Sequence, residues 1–370
     1  MTKAAELAKM GEVLTNSQIG GRRNIVINGA MQVAQRGTSF SLSGTADTFI
    51  TDRFLISNSD TGAWTASQST DSPTGFSNSL KMDCTTADTS PTFLTLMTRF
   101  EGQDLQHLKK GTSSAEKTTL SFFVKSNKTG TYIAELRDID NNRTIGKAYT
   151  ISSADTWEQK IITFDGDTTG AFGNDNGNSL QIIWYLAVGS VYNSGTLATS
   201  WGSRVNANTA VGQVNLADST DNEWYITGIQ LEVGSQATPF EHRSFGEEQR
   251  LCQRYAIVYS KNGQPNMGDK AIGTGASTNS SGGYQAFIFP QVTMRAVPTL
   301  TVGGSVSDYE ILKYETGYVD VNSSISLVSA SGRSLFVLTF SSATAEAERG
   351  RDVIMRLEGD NSSLLFDSEL

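Results

Sequence analysis

Hydrophobic positions follow two different periods along the chain. Over the first fifteen residues Ala4, Leu7, Ala8, Gly11 and Leu14 recur at three- and four-residue steps, opposite Lys3, Glu6, Lys9 and Glu12. This spacing predicts a short amphipathic helix. Such a helix is marginal alone in water, so it needs a partner. Either it packs on its own domain, or it anchors to another chain through Leu7, Met10 and Leu14. Asn16-Ser17, Gly20-Gly21 and Arg22-Arg23 then break it.

From Asn24 to about Arg243 the pattern is that of β structure. Strand-like runs recur at NIVING (24–29), TLSFFVKS (119–126), GTYIAELRD (130–138), EQKIITFDG (158–166), LQIIWYLAVG (180–189) and EWYITGIQLEVG (223–234). Each ends in Gly, Asp or Ser, as strands do. In the second run Leu120, Phe122 and Val124 share one face, and Ser121 and Lys125 take the other. Asp140 to Asn142 predicts a hairpin turn, and GDTTGAFGNDNGNS (166–179) an exposed loop. A second helix is predicted over 244–256, where Ser244 followed by Glu247 fits a capping box. Strand patterns resume with YQAFIFP (284–290), PTLTVGG (298–304), SLFVLTF (334–340) and DVIMRLEG (352–359).

The expected architecture is all-β. An N-terminal anchoring helix and linker (1–23) lead into a jelly-roll β-sandwich (24–243). A linking helix (244–256) then joins it to a second, smaller β-sandwich (257–370). Many short strands without intervening helices favour sandwiches. No 20–50-residue repeat supports a propeller or solenoid.

Composition narrows the function. Of 370 residues only 18% are charged, against about a quarter in ordinary domains. The net charge is −9, and Arg22-Arg23 and Lys109-Lys110 are the adjacent basic pairs of note. Nucleic-acid binding needs clustered cations to displace counterions from phosphates and is not expected. No apolar run approaches the roughly 20 residues that span a bilayer, so no membrane insertion is expected. The first residues lack the apolar centre of a secretory signal, which points to synthesis and folding in a cytoplasm.

Candidate chemistry is sparse. Cys84 and Cys252 are far apart and form no metal-ligand spacing, so they read as buried free thiols. His107 and His242 sit in no nucleophile-elbow context and read as structural. Asp138 with Asp140, Glu232 with Glu241, and Asp165 with Asp167 are carboxylate pairs that a glycosidase would need some 5–10 Å apart, but none has a recognisable context. Asp138, Asp140 and Asn142 mimic the first three ligands of a calcium loop. Arg143 at the sixth position and Tyr149 at the twelfth exclude an EF-hand, leaving a structural calcium open. No enzyme and no cofactor are expected.

Several strings in order resemble a known family. NIVINGAMQVAQRGTSF (24–40) followed by TDRF (51–54) resembles the opening of phage tail-fibre and virion-associated proteins. SPTGFSNSLKM (72–82), RFEGQDLQHLKKGT (99–112), LSFFVKSNKTGTY (120–132) and WEQKIITFDGDTTG (157–170) look like its successive strands, similar to carbohydrate-binding-module jelly rolls. ITGIQLEVGSQATPFEHRSFGEEQRLCQRY (226–255) resembles its closing segment, and FPQVTMRAVPTLTV (289–302) the start of a following fibre module. The resemblance implies a structural virion protein, a homotrimeric tail fibre. Its N-terminus would be held by a tail adaptor, nozzle or other virion protein, and it would contact a host surface receptor or glycan. A capsid-surface fibre or decoration protein with weak glycan binding is the alternative.

A glycan site needs an aromatic ring to lie against sugar C–H faces. Trp184 sits in an apolar run, and Trp64, Trp157 and Trp224 lie in or beside strands; all four read first as core. Trp201 lies in a long polar stretch and is the ligand candidate, with a subunit contact as its other reading. In the C-terminal part Tyr309, Tyr314 and Tyr318 are candidate receptor contacts, since Tyr gives large contact area at low entropy cost. Ordinary strand packing or trimer contacts are the other reading.

Overall fold

The computed structural model describes Lys3 and residues 23–261, 270–278, 283–313, 317–328, 331–342 and 352–370. The anchor candidates Leu7, Met10 and Leu14, and the contact candidate Tyr314, lie outside the described residues. The all-β expectation holds. The chain divides into two compact units between Glu248 and Gln249.

The first unit is built from β1 (Ser39–Phe49), β2 (Leu55–Ser69), β3 (Ser79–Thr86), β4 (Phe93–Glu101), β5 (Thr118–Ser126), β6 (Gly130–Asp138), β7 (Arg143–Ile151), β8 (Glu158–Phe164), β9 (Asn178–Val188), β10 (Gly202–Ser203) and β11 (Glu223–Val233). Their hydrogen-bonded order is β10-β7-β6-β9-β4-β2-β3-β11-β5-β8, with β1 beside β2. β2 belongs to both layers of a sandwich. Its Leu55–Ser59 half pairs with β4 and its Ala63–Ser69 half with β3. The strand turns between them at Asp60 and Gly62, both with positive φ (49° and 63°). A side chain at Gly62 would bring its Cβ to 2.3 Å from the Thr86 carbonyl oxygen, so only glycine fits this corner.

Alternation fills the space between the layers. Leu94, Leu96, Ala134, Ile145 and Trp184 come from one layer, and Trp64, Met82, Phe122, Trp224 and Ile226 from the other. Phe122 meets Trp184 edge-on across the core, ring centres 5.8 Å apart. Each such large side chain contributes about 1.5–3 kcal/mol through burial.

NIVING (24–29) is not a strand, which corrects the sequence reading. It is an extended clasp along β11, held as much by side chains as by backbone. Ile25 N–H donates to the Leu231 oxygen at 2.9 Å. The Asn24 amide donates to the Ile229 oxygen at 3.0 Å, and its Oδ1 accepts from Val26 and Leu231 N–H at 3.0 and 3.1 Å. Asn28, at φ 60°, turns the chain away. Its Nδ2 donates to the Val33 and Asp52 oxygens at 2.9 Å each, and its Oδ1 accepts from Val33 N–H at 2.9 Å. A Cβ on Gly29 would lie 2.1 Å from the Ile229 oxygen. The alternating apolar residues look like a strand because Val26 is buried. Two asparagines, however, take the place of a ladder.

The following loop is likewise fixed by buried polar groups. Asp52, 1% exposed, accepts from Arg36 at 2.9 Å and from Gln35 N–H at 2.8 Å. Arg53 donates to the Arg99 oxygen at 2.5 Å. Past Pro239, the Phe240 ring packs on Phe76 and His242, with centroids 5.0 and 4.9 Å away.

Two α-helical segments occur among the described residues: α1 (Ser190–Asn193) and α2 (Phe245–Gln253). The Glu247 N–H donates to Ser244 Oγ at 3.3 Å at the start of α2, as the capping pattern predicts. Glu248 Oε1 accepts from Asn28 N–H at 2.6 Å and lies 3.3 Å from Arg243.

The second unit runs Gln249–Glu369. Its strands are β12 (Ala256–Ser260), β13 (Lys270–Ser277), β14 (Gly283–Ile288), β15 (Thr299–Gly303), β16 (Tyr309–Lys313), β17 (Gly317–Asp320), β18 (Ser326–Leu327), β19 (Phe336–Ser341), β20 (Asp352–Leu357) and β21 (Ser363–Asp367). They form sheets ordered β12-β21-β15 and β17-β16-β20-β13-β14-β19-β18. One core joins the two sheets, with Phe336 stacked on Phe366 at 4.2 Å between ring centres.

Candidate functional site

The aromatic candidates occupy very different places. Trp64, Trp184 and Trp224 are buried in the core. Trp201 is half-buried against that core; its Nε1 donates to the Asp165 oxygen at 2.7 Å, and Lys110 Nζ lies 5.5 Å from its ring centre. Trp157, read from sequence as core, is half-buried on the outer face of the other layer, where its Nε1 donates to Asp71 at 3.0 Å. In the second unit Tyr309 is fully buried, its hydroxyl donating toward the Gly303 and Ser363 oxygens at 2.7 Å. Tyr318 is 51% exposed, with the Arg356 guanidinium carbon 3.2 Å above its ring.

The paired acids act as acceptors for neighbouring groups. Asp140 takes the Gly173 N–H at 2.8 Å, Glu232 the Thr238 N–H at 2.8 Å, Glu241 the Asn24 N–H at 2.7 Å, and Asp165 faces Lys117 at 2.9 Å. In the second unit the carboxylates of Glu310, Asp320 and Glu358 lie within 4.8 Å of one another. Burial, then the Glu310 and Asp320 charges, push the Glu358 carboxyl up, and Arg356 pairs with Glu310.

Asp138 and Asp167 enclose a cation that belongs to the chain. Lys110 Nζ lies 2.6 Å from Asp138, 3.1 Å from Asp167, and 2.9 and 2.7 Å from the Thr169 and Gly170 oxygens. Its side chain is 4% exposed. Arg143 adds bonds to Asp167 of 2.7 and 3.0 Å. Burial alone would raise the Asp167 carboxyl, but hydrogen bonds from Arg143 and Lys110 outweigh it and hold it below the usual range. An ammonium thus sits where the calcium-like spacing of Asp138, Asp140 and Asn142 suggested a metal. Beside it opens a surface cavity of about 540 Å³ lined by Leu105, Gln106, Lys109, Thr112 and Phe172. The network ties the 166–177 loop to the end of the β6–β7 hairpin.

The outer face of the β4-β9-β6-β7 layer carries charged and polar groups beside an apolar floor. Ile133, Ile183, Tyr185 and Val188 form its apolar floor, with Phe93 and Tyr192 half-buried beside them. The 189–214 segment crosses this face. It is held by the Gly146 N–H to the Ala198 oxygen at 2.7 Å, by the β7–β10 pairing, and by Ile133 N–H to Gln213 Oε1 at 2.8 Å. Under it, Glu135 is fully buried and accepts from the Tyr185 hydroxyl at 2.5 Å and from the Thr144 hydroxyl, with Arg204 at 3.4 Å. Burial, then the Glu135 charge and hydrogen bond, pushes the Tyr185 phenol far above its ordinary value.

One step along the sheet, Arg99, Gln181 and Arg137 stand in a single cross-strand row. Gln181 is 5% exposed. Arg137 is half-buried, and its Nε is shut away from solvent with no acceptor. Burial and then the Arg204 charge work against its ionised form. A polar group this enclosed is normally satisfied, so the Arg137 Nε–H is an open donor on this face. Neither residue stands out in sequence. Both fall in regular strand alternation, and only the covering 189–214 segment makes their position unusual.

No protein-family model matches the chain, and no curated protein is similar to it in sequence. Solved structures similar to it include carbohydrate-binding-module jelly rolls and a phage tailspike domain. The enzymatically active domain of tailspike protein 4 of bacteriophage CBA120 matches 57% of this chain at 14% identity and a TM-score of 0.31, over 21% of its own length. The family 11 carbohydrate-binding module of a Clostridium thermocellum cellulosomal cellulase matches 59% at 11% identity and 0.28, over its full length. A family 4 carbohydrate-binding module matches 56% at 9% identity and 0.27, over 98% of its length.

Proposed function

We propose that the protein is a non-enzymatic structural component of a phage virion, a tail fibre held to the tail through residues 1–23. On this reading its first unit takes host-surface glycan on the outer face of the β4-β9-β6-β7 layer. The virion assignment rests on the ordered sequence resemblance across 24–302. The glycan assignment rests on one observation: the half-buried Arg137 guanidinium, whose Nε is shut from solvent with no acceptor, in the same cross-strand row as Gln181 and with Tyr192 nearby. An amide that donates and accepts suits sugar hydroxyls, and aromatic edges and faces suit sugar C–H groups. The fibre is a homotrimer on this reading, since symmetry mates would cover exposed strand edges.

Light scattering on the full chain, beside a chain lacking residues 1–22, tests the assembly. A mass near three chains for both supports a trimer made by the β units. A monomer in both overturns the trimeric fibre. Antibody labelling of phage particles tests the location: label on the tail supports the proposal, and label on the capsid replaces it with a decoration protein.

A further inference from the structure

We infer that the glycan recognised by this face is acidic, and that Arg137 receives a sugar carboxylate there; this rests on the reading of the face as a glycan site. Guanidinium groups in folded proteins normally find carboxylates or carbonyls, because five N–H donors lose water when enclosed. Around Arg137 the charged or ionisable neighbours are Arg204, Glu135, Tyr185 and Tyr192. None of them bonds to it. Arg204 is a like charge, and Glu135 is already engaged by Tyr185, Thr144 and Arg204. The buried Nε–H of Arg137 therefore has no acceptor among the described residues.

The surroundings select the anion. A carboxylate is planar, singly charged and accepts two parallel N–H bonds from one guanidinium. A phosphate monoester carries nearly two charges at pH 7 and would feel the Glu135 carboxylate across the neighbouring row. Next to Arg137, on β9, the Gln181 amide is placed to take an adjacent hydroxyl. A hydroxyl beside a carboxylate, against an apolar floor edged by Tyr192, describes a uronic acid unit.

The test is saturation-transfer NMR on the full chain, which reads weak binding whatever the protein's assembled size. The probes are sodium glucuronate and galacturonate, their methyl esters, and glucose 1-phosphate. We expect saturation of a uronate and at least tenfold weaker binding of its ester and of the sugar phosphate. Arg137→Gln should lose the preference for acid over ester, while Arg137→Lys retains part of it. Melting temperatures of the variants establish that they fold. Equal binding of uronates and esters, or unchanged preference in Arg137→Gln, overturns the acidic ligand and leaves the glycan site standing. Stronger binding of the phosphate overturns the carboxylate assignment. No saturation of any sugar overturns the face as a glycan site, and the inference with it.

Discussion

Lys110 Nζ stands 2.6 Å from an Asp138 carboxylate oxygen, with the two side chains 4% and 0% exposed. A pair this enclosed is costly to assemble, since both charges leave water, and it is costly to break from one side only. Lys110→Met strips the counter-charge from Asp138 and Asp167 together. It should destabilise the first unit by about 3–5 kcal/mol, read from urea unfolding. A change below about 1 kcal/mol would mean that Arg143 alone compensates both carboxylates.

The same cluster sets the response to acid. Asp167 has a folded value below its ordinary one, so its contribution is present above the unfolded value, about 3.9. That contribution is lost as pH falls through the folded value. Melting temperature should therefore drop steeply below about pH 4. Asp167→Asn should flatten that part of the profile while lowering stability at neutral pH. An unchanged acid limb in the variant would exclude Asp167 as its source.

Asn28 closes the turn after the clasp with three side-chain hydrogen bonds. Asn28→Ala leaves the Val33 N–H and two carbonyls without that partner and keeps the positive φ. We expect a loss of about 2–4 kcal/mol, measured by chemical unfolding. Asn28→Gly relieves the backbone but not the hydrogen bonds, so it should recover only a fraction. Full recovery with glycine would assign the whole effect to backbone strain.

Cys84 and Cys252 are 2% and 0% exposed, and burial pushes the Cys84 thiol up to about 11. Thiolate is the reactive form. Neither cysteine should react with a disulfide reagent in the native protein at pH 8, and both should react once it unfolds. Fast native labelling of either would show that its unit opens locally.

What was legible in sequence follows from which residues are buried on one face. β6 appears at its full length, Gly130–Asp138, and β5, β8, β9, β11, β14, β15, β19 and β20 fall close to the apolar runs that predicted them. β1 gave no apolar signal of its own because SFSLSGTADTF buries only Leu42 deeply; it owes its place to β2. The clasp at 24–29 failed in the opposite sense, since Val26 alternates like a strand residue while asparagine side chains make its bonds. The site was less legible than the fold. Among the aromatic rings the polar surroundings point to Trp201, whose indole N–H is committed to the Asp165 oxygen. Gln181 and Arg137 look like solvent-facing strand residues until the 189–214 segment covers their neighbours. Lys110 was hidden in a Lys-Lys pair, where nothing local separates a buried ammonium from a solvated one.

The Asn24 clasp has a consequence for how the chain is made. Its partner Leu231 lies 207 residues later, so the contact cannot form until that stretch has been synthesised. At about 5–20 residues per second, Asn24 waits roughly 10–40 seconds. During that interval the segment along which β11 will settle has no mate, and ribosome-bound chains halted before Leu231 should be cut by protease near Asn24. Completion of the first unit is thus timed by translation itself.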